Sequence, residues 1–299
     1  MTLTHARRLR RGRTRGVTAA VIVVAWLVAM GALVQRDVLR TLEQRMAELA
    51  LRVNPGAVFY AVELDGRHIG YASSNIDTLP DTSATFLVVR DAMVADLPAG
   101  EFTRRTTIRS EVSLTRGFVP LVFLAEVDSG RPTRVSGRVE DSTITYVRDS
   151  AGITADTQRV SVAPPFLLPS LTPLATILEN RPRPGRRATY RTFNPATASA
   201  LNVTLHVLAE SLFVVDDSAR MDVPSGRWVP ALRDTVRAWR VSSTDGPGFD
   251  GWVDAQGRVV EMARAPGLRL RRMAGELAFE NWRLEAEARA TAAKRDRPQ

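Results

Sequence analysis

The residue types that most often carry chemistry are thinly spread in this sequence. Three histidines are present, His5, His68 and His206. His68 and His206 fall in separate strand-like stretches, and neither has a second histidine two or four residues away. The spacing that lets one strand or helix face hold a metal is therefore missing, and both read as ordinary strand histidines. No cysteine occurs, which removes a thiolate nucleophile, a disulfide framework and cysteine-ligated zinc or iron–sulfur sites together. Lys294 is the only lysine, so a Ser-x-x-Lys acylation site is excluded, and HExxH, Gly-x-Ser-x-Gly and Walker patterns do not occur. Asp216 and Asp217, with Asp222 close by, are the one conspicuous group of carboxylates. A glycosidase needs two carboxylates facing each other across a substrate. Adjacent acids at the end of an apolar strand more commonly mark a turn, and a turn is expected here. The run Asp245 to Asp254, DGPGFDGWVD, has the look of a calcium loop but lacks the alternation and the terminal glutamate, so a hairpin loop is expected. No catalytic, metal-ligating or cofactor-binding residue is nominated, and the ligand-binding residues stay unassigned.

The elements that would position any site begin with the first 36 residues. Arg7, Arg8, Arg10, Arg11, Arg13 and Arg15 precede Val17–Val34, VTAAVIVVAWLVAMGALV, which carries no charge. As a helix it is about 27 Å long, close to the thickness of a bilayer's hydrocarbon core. Residues 1–16 thus read as a cytoplasmic basic tail and 17–34 as a single-pass transmembrane helix, with all that follows on the far side of a bacterial inner membrane, in the periplasm. A cleaved signal peptide is the other account, but Ala29-Met30-Gly31 is a poor cleavage site and the apolar run exceeds a signal core. The net charge of +9 follows from the same region. Residues 1–36 hold seven arginines and no acid, which leaves +2 for the remainder and no basic stripe of the kind nucleic acid requires. The near-absence of lysine reads as the coding bias of a GC-rich genome.

Gln35–Val53 has Leu39, Leu42, Met46, Leu49 and Val53 at spacings of three and four, the stripe of a membrane-proximal helix. Asn54-Pro55-Gly56 ends it. The stripe suits a helix lying on its own domain, with a dimerising coiled coil as the alternative.

From Ala57 the period changes to two. Val58–Leu64 and Arg67–Tyr71 flank Asp65-Gly66, a two-residue hairpin signal. Strands are expected at 85–94, 102–114, 121–127, 133–139, 142–148 and 157–162. After a break they resume at 187–193, 200–209, 211–216, 235–243, 251–254, 259–264 and 268–273, with 276–281 as a further candidate. A second hairpin turns at Asp254–Gly257. Thr103–Arg109 is polar on both faces and reads as an edge or as a strand crossing a solvated surface. Ala163–Thr172, APPFLLPSLT, is apolar and rich in proline, neither a central strand nor a solvated linker. Pro173–Asn180 adds a short helix. The tail 283–299 is charged and reads as frayed helix or disorder. The fold class expected is mainly β, an antiparallel curved sheet or half-barrel spanning 54–282, with a division into two subdomains near 163–185 left open.

Two stretches resemble a known family. Tyr60–Ser74, YAVELDGRHIGYASS, is similar to the hairpin that opens the β-rich region preceding the catalytic domain in bacterial transglutaminase-like proteins, with Tyr60, Gly66, Gly70 and Tyr71 at the matching places. Trp252–Val260, WVDAQGRVV, resembles the hairpin that closes that region. Pro169–Asn180 and Asn194–Thr197 fall between them in the order this implies. The resemblance covers about residues 57–280 and implies a fold and a location. The catalytic domain of that family uses a Cys–His–Asp set, and this sequence has no cysteine.

Taken together, the sequence points to a non-enzymatic, membrane-anchored periplasmic β-domain, a scaffold or binding module for an envelope partner. Lipid or lipoprotein handling by a concave apolar sheet face is the alternative, with Pro164–Pro173 as the cap of a groove or, equally, as a plug of the core. A hydrolase built on carboxylates would need two acids facing one cleft.

Overall fold

The computed structural model describes residues 47–48, 51–80, 85–100, 102–150, 153–154, 157–179, 182–194, 197, 199–244, 249–264 and 267–295. All belong to one compact unit that begins at Met46. The basic tail, the apolar segment 17–34 and most of the helix expected over 35–53 lie outside the described residues, as does the loop 245–248. Among the described residues, no helix is long and apolar enough to cross a membrane.

The expected mainly antiparallel β architecture is observed, as one fifteen-stranded sheet. Its strands are β1 (Gly56–Leu64), β2 (Arg67–Thr78), β3 (Leu87–Ala99), β4 (Phe102–Leu114), β5 (Pro120–Asp128), β6 (Thr133–Glu140), β7 (Thr143–Ser150), β8 (Ile153–Thr154) and β9 (Gln158–Ser161). They continue with β10 (Arg187–Asn194), β11 (Ser199–Asp222), β12 (Arg227–Ser243), β13 (Asp250–Asp254), β14 (Val259–Arg264) and β15 (Leu268–Met273). The spatial order is β10 to β15, then β1 to β8, with β9 on β7. The two halves of the chain are therefore joined through antiparallel pairing of β1 with β15. The hairpins form as their turn residues require: Asp65 and Gly66 take φ of 49° and 77°.

The two ends of the sheet meet. Leu167, a few residues past β9, donates its N–H to Arg191 and accepts from Phe193, both on β10, at 2.9 and 3.0 Å. One apolar core fills the space so enclosed. Phe123 of β5 and Tyr146 of β7 stack against Phe193 at 6.2 and 6.0 Å between ring centroids. Phe166, Leu167, Leu168 and Leu171 are buried in this core, so the proline-bearing segment is a plug. It leads into helix α1 (Thr172–Glu179), whose residues Thr172 to Leu178 are all buried. A helix apolar all round must be enclosed. Its two threonines satisfy their hydroxyls on the helix's own backbone, Thr172 to the Pro169 carbonyl at 2.9 Å and Thr176 to the Thr172 carbonyl at 2.8 Å. Gly257, at φ 77° in the turn after β13, sits so close to Leu174 that a Cβ there would fall 2.3 Å from it. The closing hairpin is thereby seated on α1.

Three expectations are corrected. Residues 200–209 and 211–216 form one strand, β11, because bulges at Val207/Ala209 and Asp216/Ser218 absorb the breaks in alternation without ending the ladder. Its partner β12 starts at Arg227, well before 235, for the same reason. Residues 276–281 are helical: a π-turn at Glu276–Glu280 runs into helix α2 (Asn281–Arg295). Leu277 and Ala278 are buried against Ala61 and Met273, and Trp282 stacks with Tyr71 at 5.5 Å; that one-sided packing selects a helix over a strand. Thr103–Arg109 is an edge in part: among the described residues β4 pairs with β3 along its whole length but with β5 only from Thr107, so 103–106 have one partner strand. It crosses a solvated surface, where Arg105 pairs with Asp96 at 3.0 Å and lies over the Trp282 ring.

Candidate functional site

β11 and β12 make a long ribbon that leaves the core partway along. Between its bulges, alternation sends successive side chains of β11 to opposite faces. Phe213 packs on Trp252 at 5.0 Å, and Val215 is buried with Ala238 and Val260. Leu212 and Val214 therefore point the other way, 64% and 68% exposed, and Leu208 is 50% exposed. Leucine and valine are costly to leave in water, at about 25 cal/mol per Å² of apolar surface.

The backbone of the same segment is open. One side of β11 pairs with β12 from Leu205 to Asp222. The other side pairs with β10 over Ser199–His206, and next with β15 at Asp216, opposite Met273. Among the described residues, no strand pairs with that side of residues 208–215. An acid–arginine pair guards each end. Glu210 lies 3.4 Å from Arg237 and also accepts the Trp239 indole N–H at 3.2 Å, while Asp216 lies 3.1 Å from Arg233. Charges beside an unpaired strand edge are the usual protection against indiscriminate pairing.

Below this edge lies a cleft of about 290 Å³, lined by Phe59, Val215, Asp217, Ala219, Arg272 and Glu276 among others. Its floor is where β11 turns onto β15, the Ala274 N–H donating to the Asp216 carbonyl at 2.7 Å. The carboxylates expected to mark a turn thus sit mid-strand, at a bulge. Asp216 pairs with Arg233, and Asp217 faces the cleft. Only Asp222 stands at the end of its strand, where it accepts from the Ser225 hydroxyl at 2.5 Å. Asp217 and Glu276 share the cleft, and both are exposed to solvent.

The buried polar groups elsewhere serve the frame. Asp254 accepts the N–H groups of Gln256 and Arg258 at 2.9 Å each and pairs with Arg272 at 2.8 Å. Arg258 in turn ties down the entering chain, donating to the carbonyls of Gly56 and Asn54 at 2.8 and 2.6 Å. Tyr60 lies in the field of these groups, its phenol pushed up by burial and partly drawn back by Arg272. On the facing wall, Asp91 of β3 is bracketed by Ser74 and Ser110 at the same register of β2 and β4. Burial raises its carboxyl above the ordinary value, and hydrogen bonds from the two serines pull it partly back. His68 stands on β2 and His206 on β11. Burial lowers His68, against a raising hydrogen bond with the Gly70 backbone. Among the described residues, no group of three His, Asp or Glu is placed to hold a metal.

Sequence reasoning left the ligand-binding residues open and did not single out Leu208, Leu212 or Val214. A signal was present: Leu212-Phe213-Val214-Val215 is apolar on both faces, whereas a strand with one wet face alternates.

No family model matches the chain, and no curated protein matches it significantly. Among solved structures it is similar to a β-barrel-like protein of the domain of unknown function DUF1849 from Brucella abortus. That likeness has 14% identity and a TM-score of 0.47, over 74% of this chain and 95% of the other.

Proposed function

We propose that the protein is a non-enzymatic binding module of the bacterial envelope, held in the inner membrane by residues 17–34 with its β-domain in the periplasm. It would take an extended segment of a protein partner on the free edge of β11. The observation that carries the reading is the coincidence, at residues 208–215, of an unpaired strand edge with exposed Leu208, Leu212 and Val214. Strand addition uses these two features together: the backbone gives affinity, and alternate side chains give selection. The likeness of residues 57–280 to an accessory β-region supports a supporting rather than catalytic role. The alternative, lipid carriage on a concave sheet face, needs room that Phe166 to Leu178 occupy.

The test is a pull-down of the intact protein from membranes in mild detergent, read by mass spectrometry of proteins and lipids, for wild type and a Leu212→Arg, Val214→Arg variant. A protein recovered with wild type and lost from the variant supports the reading. The same proteins from both, or lipid alone, overturns it.

A further inference from the structure

Beyond the open edge, the ribbon ends in a tip of different character. Past the bulge at Ser218/Ala219, β11 and β12 stay paired out to Asp222 and Arg227. The tip carries Met221, Val223 and, at its base, Leu232, which are 42%, 84% and 59% exposed. Trp228 is half-buried beside them. The tip is held stiffly at one flank. The Trp228 N–H donates to Asn281 Oδ1 at 3.1 Å, Asn281 Nδ2 donates to the Trp228 carbonyl at 2.9 Å, and Arg227 lies 3.4 Å from Glu285. Both anchoring residues belong to α2. An apolar loop fixed in an exposed position is a presented surface rather than a frayed end.

We propose that this tip, Ala219–Leu232, rests in the headgroup region of the bilayer that holds the chain. The inference rests on the reading of 17–34 as an anchor. Three observations choose a membrane as the occupant. First, the chain from the anchor enters the domain at Asn54–Ala57, and Ala57 and Ala219 line the same cleft, so the base of the tip and the point of entry share one side of the domain. Second, nineteen residues, 35–53, separate the anchor from the domain, about 28 Å at the rise of the helix the sequence predicts there. From Ala219 to Val223 the ribbon reaches about 15 Å outward. Third, the composition suits an interface: Val223 and Met221 to enter, Trp228 for the boundary, and exposed Arg220 for anionic headgroups, with Arg227 beside Glu285.

The natural absence of cysteine makes the test direct. Full-length single-cysteine variants Val223→Cys, Val122→Cys and Ala25→Cys are labelled with an environment-sensitive fluorophore. They are reconstituted in phosphatidylethanolamine–phosphatidylglycerol vesicles with lipids that carry a nitroxide quencher. Val122 is 53% exposed on β5 and serves as the aqueous reference. The proposal expects a blue-shifted label at 223, quenched several-fold more than the label at 122. Quenching at 25 with none at 223 overturns the membrane contact and leaves the anchor standing. No quenching at either position overturns both. A blue shift at 223 that lipid nitroxides leave untouched, and that fades as protein is diluted in lipid, means a second copy covers the tip, and it also overturns the proposal.

Discussion

Residues 163–178 and 208–232 both hold apolar runs and both carry prolines, yet those runs end in opposite places. In the first, Phe166, Leu167, Leu168, Leu171 and α1 vanish into the core. In the second, Leu208, Leu212, Val214, Met221, Val223 and Leu232 stay in water. The difference lies in what each backbone can do. The proline-bearing segment contributes one β-bridge and a buried helix, so its side chains are free to fill the space inside the sheet. The ribbon directs its hydrogen bonds to β12, one face of it packs on β13 and β14, and among the described residues Leu208, Leu212 and Val214 stay exposed on the other. Apolar composition is the same signal in both. In the core it serves stability; on the ribbon, under the function proposed above, it serves contact.

That contrast is broken or sharpened by substitution. The largest effect is expected where the plug meets the wall: Phe193→Ala empties a fully buried ring site and costs about 3–5 kcal/mol in a denaturant melt. Asp254→Ala comes next. It strands Arg272 without its carboxylate and frees the turn at Gln256 and Arg258, at about 3 kcal/mol or more by the same measurement. Leu212→Ser, by contrast, should leave stability within about 0.5 kcal/mol of wild type while weakening capture of a partner. A melt showing a core-sized loss for Leu212→Ser would erase the distinction between the regions.

Much of the frame was legible in the sequence. Asp65-Gly66 and Asp254–Gly257 placed two hairpins because positive φ admits few residues, and the limits of β4, β14 and β15 follow from the turn residues that bound them. The ribbon was harder. Each bulge shifts the alternation by one, so β11 read as two strands and β12 as half its length. Residues 276–281 were misread because a short run holding Leu277 and Ala278, with Trp282 just beyond it, shows its helical side only when Ala61, Met273 and Tyr71 are there to meet it. The candidate edge was least legible, since a sequence shows that Leu212 and Val214 share a face and cannot show that the face is bare.

The smallest predicted effect concerns the wall opposite. Burial raises the Asp91 carboxyl in the folded protein, so its contribution is fully present below the unfolded value and is lost as pH rises through the folded one. Asp91→Asn keeps one acceptor oxygen, offers its NH2 to the other serine's hydroxyl oxygen, and removes the ionisation. It should be more stable than wild type near neutral pH, with the gap closing below about pH 4. A gap that stays constant across that range contradicts the assignment.

The central claim is that residues 208–215 are a free strand edge kept for a partner. Its most direct test is photo-crosslinking in intact cells, from an unnatural amino acid at Leu212 in the full-length protein, with the same group at Val122 as reference. The account predicts a discrete protein adduct from Leu212, absent from Val122 and suppressed by Val214→Arg. Equal labelling from both positions, or none from Leu212, would contradict it.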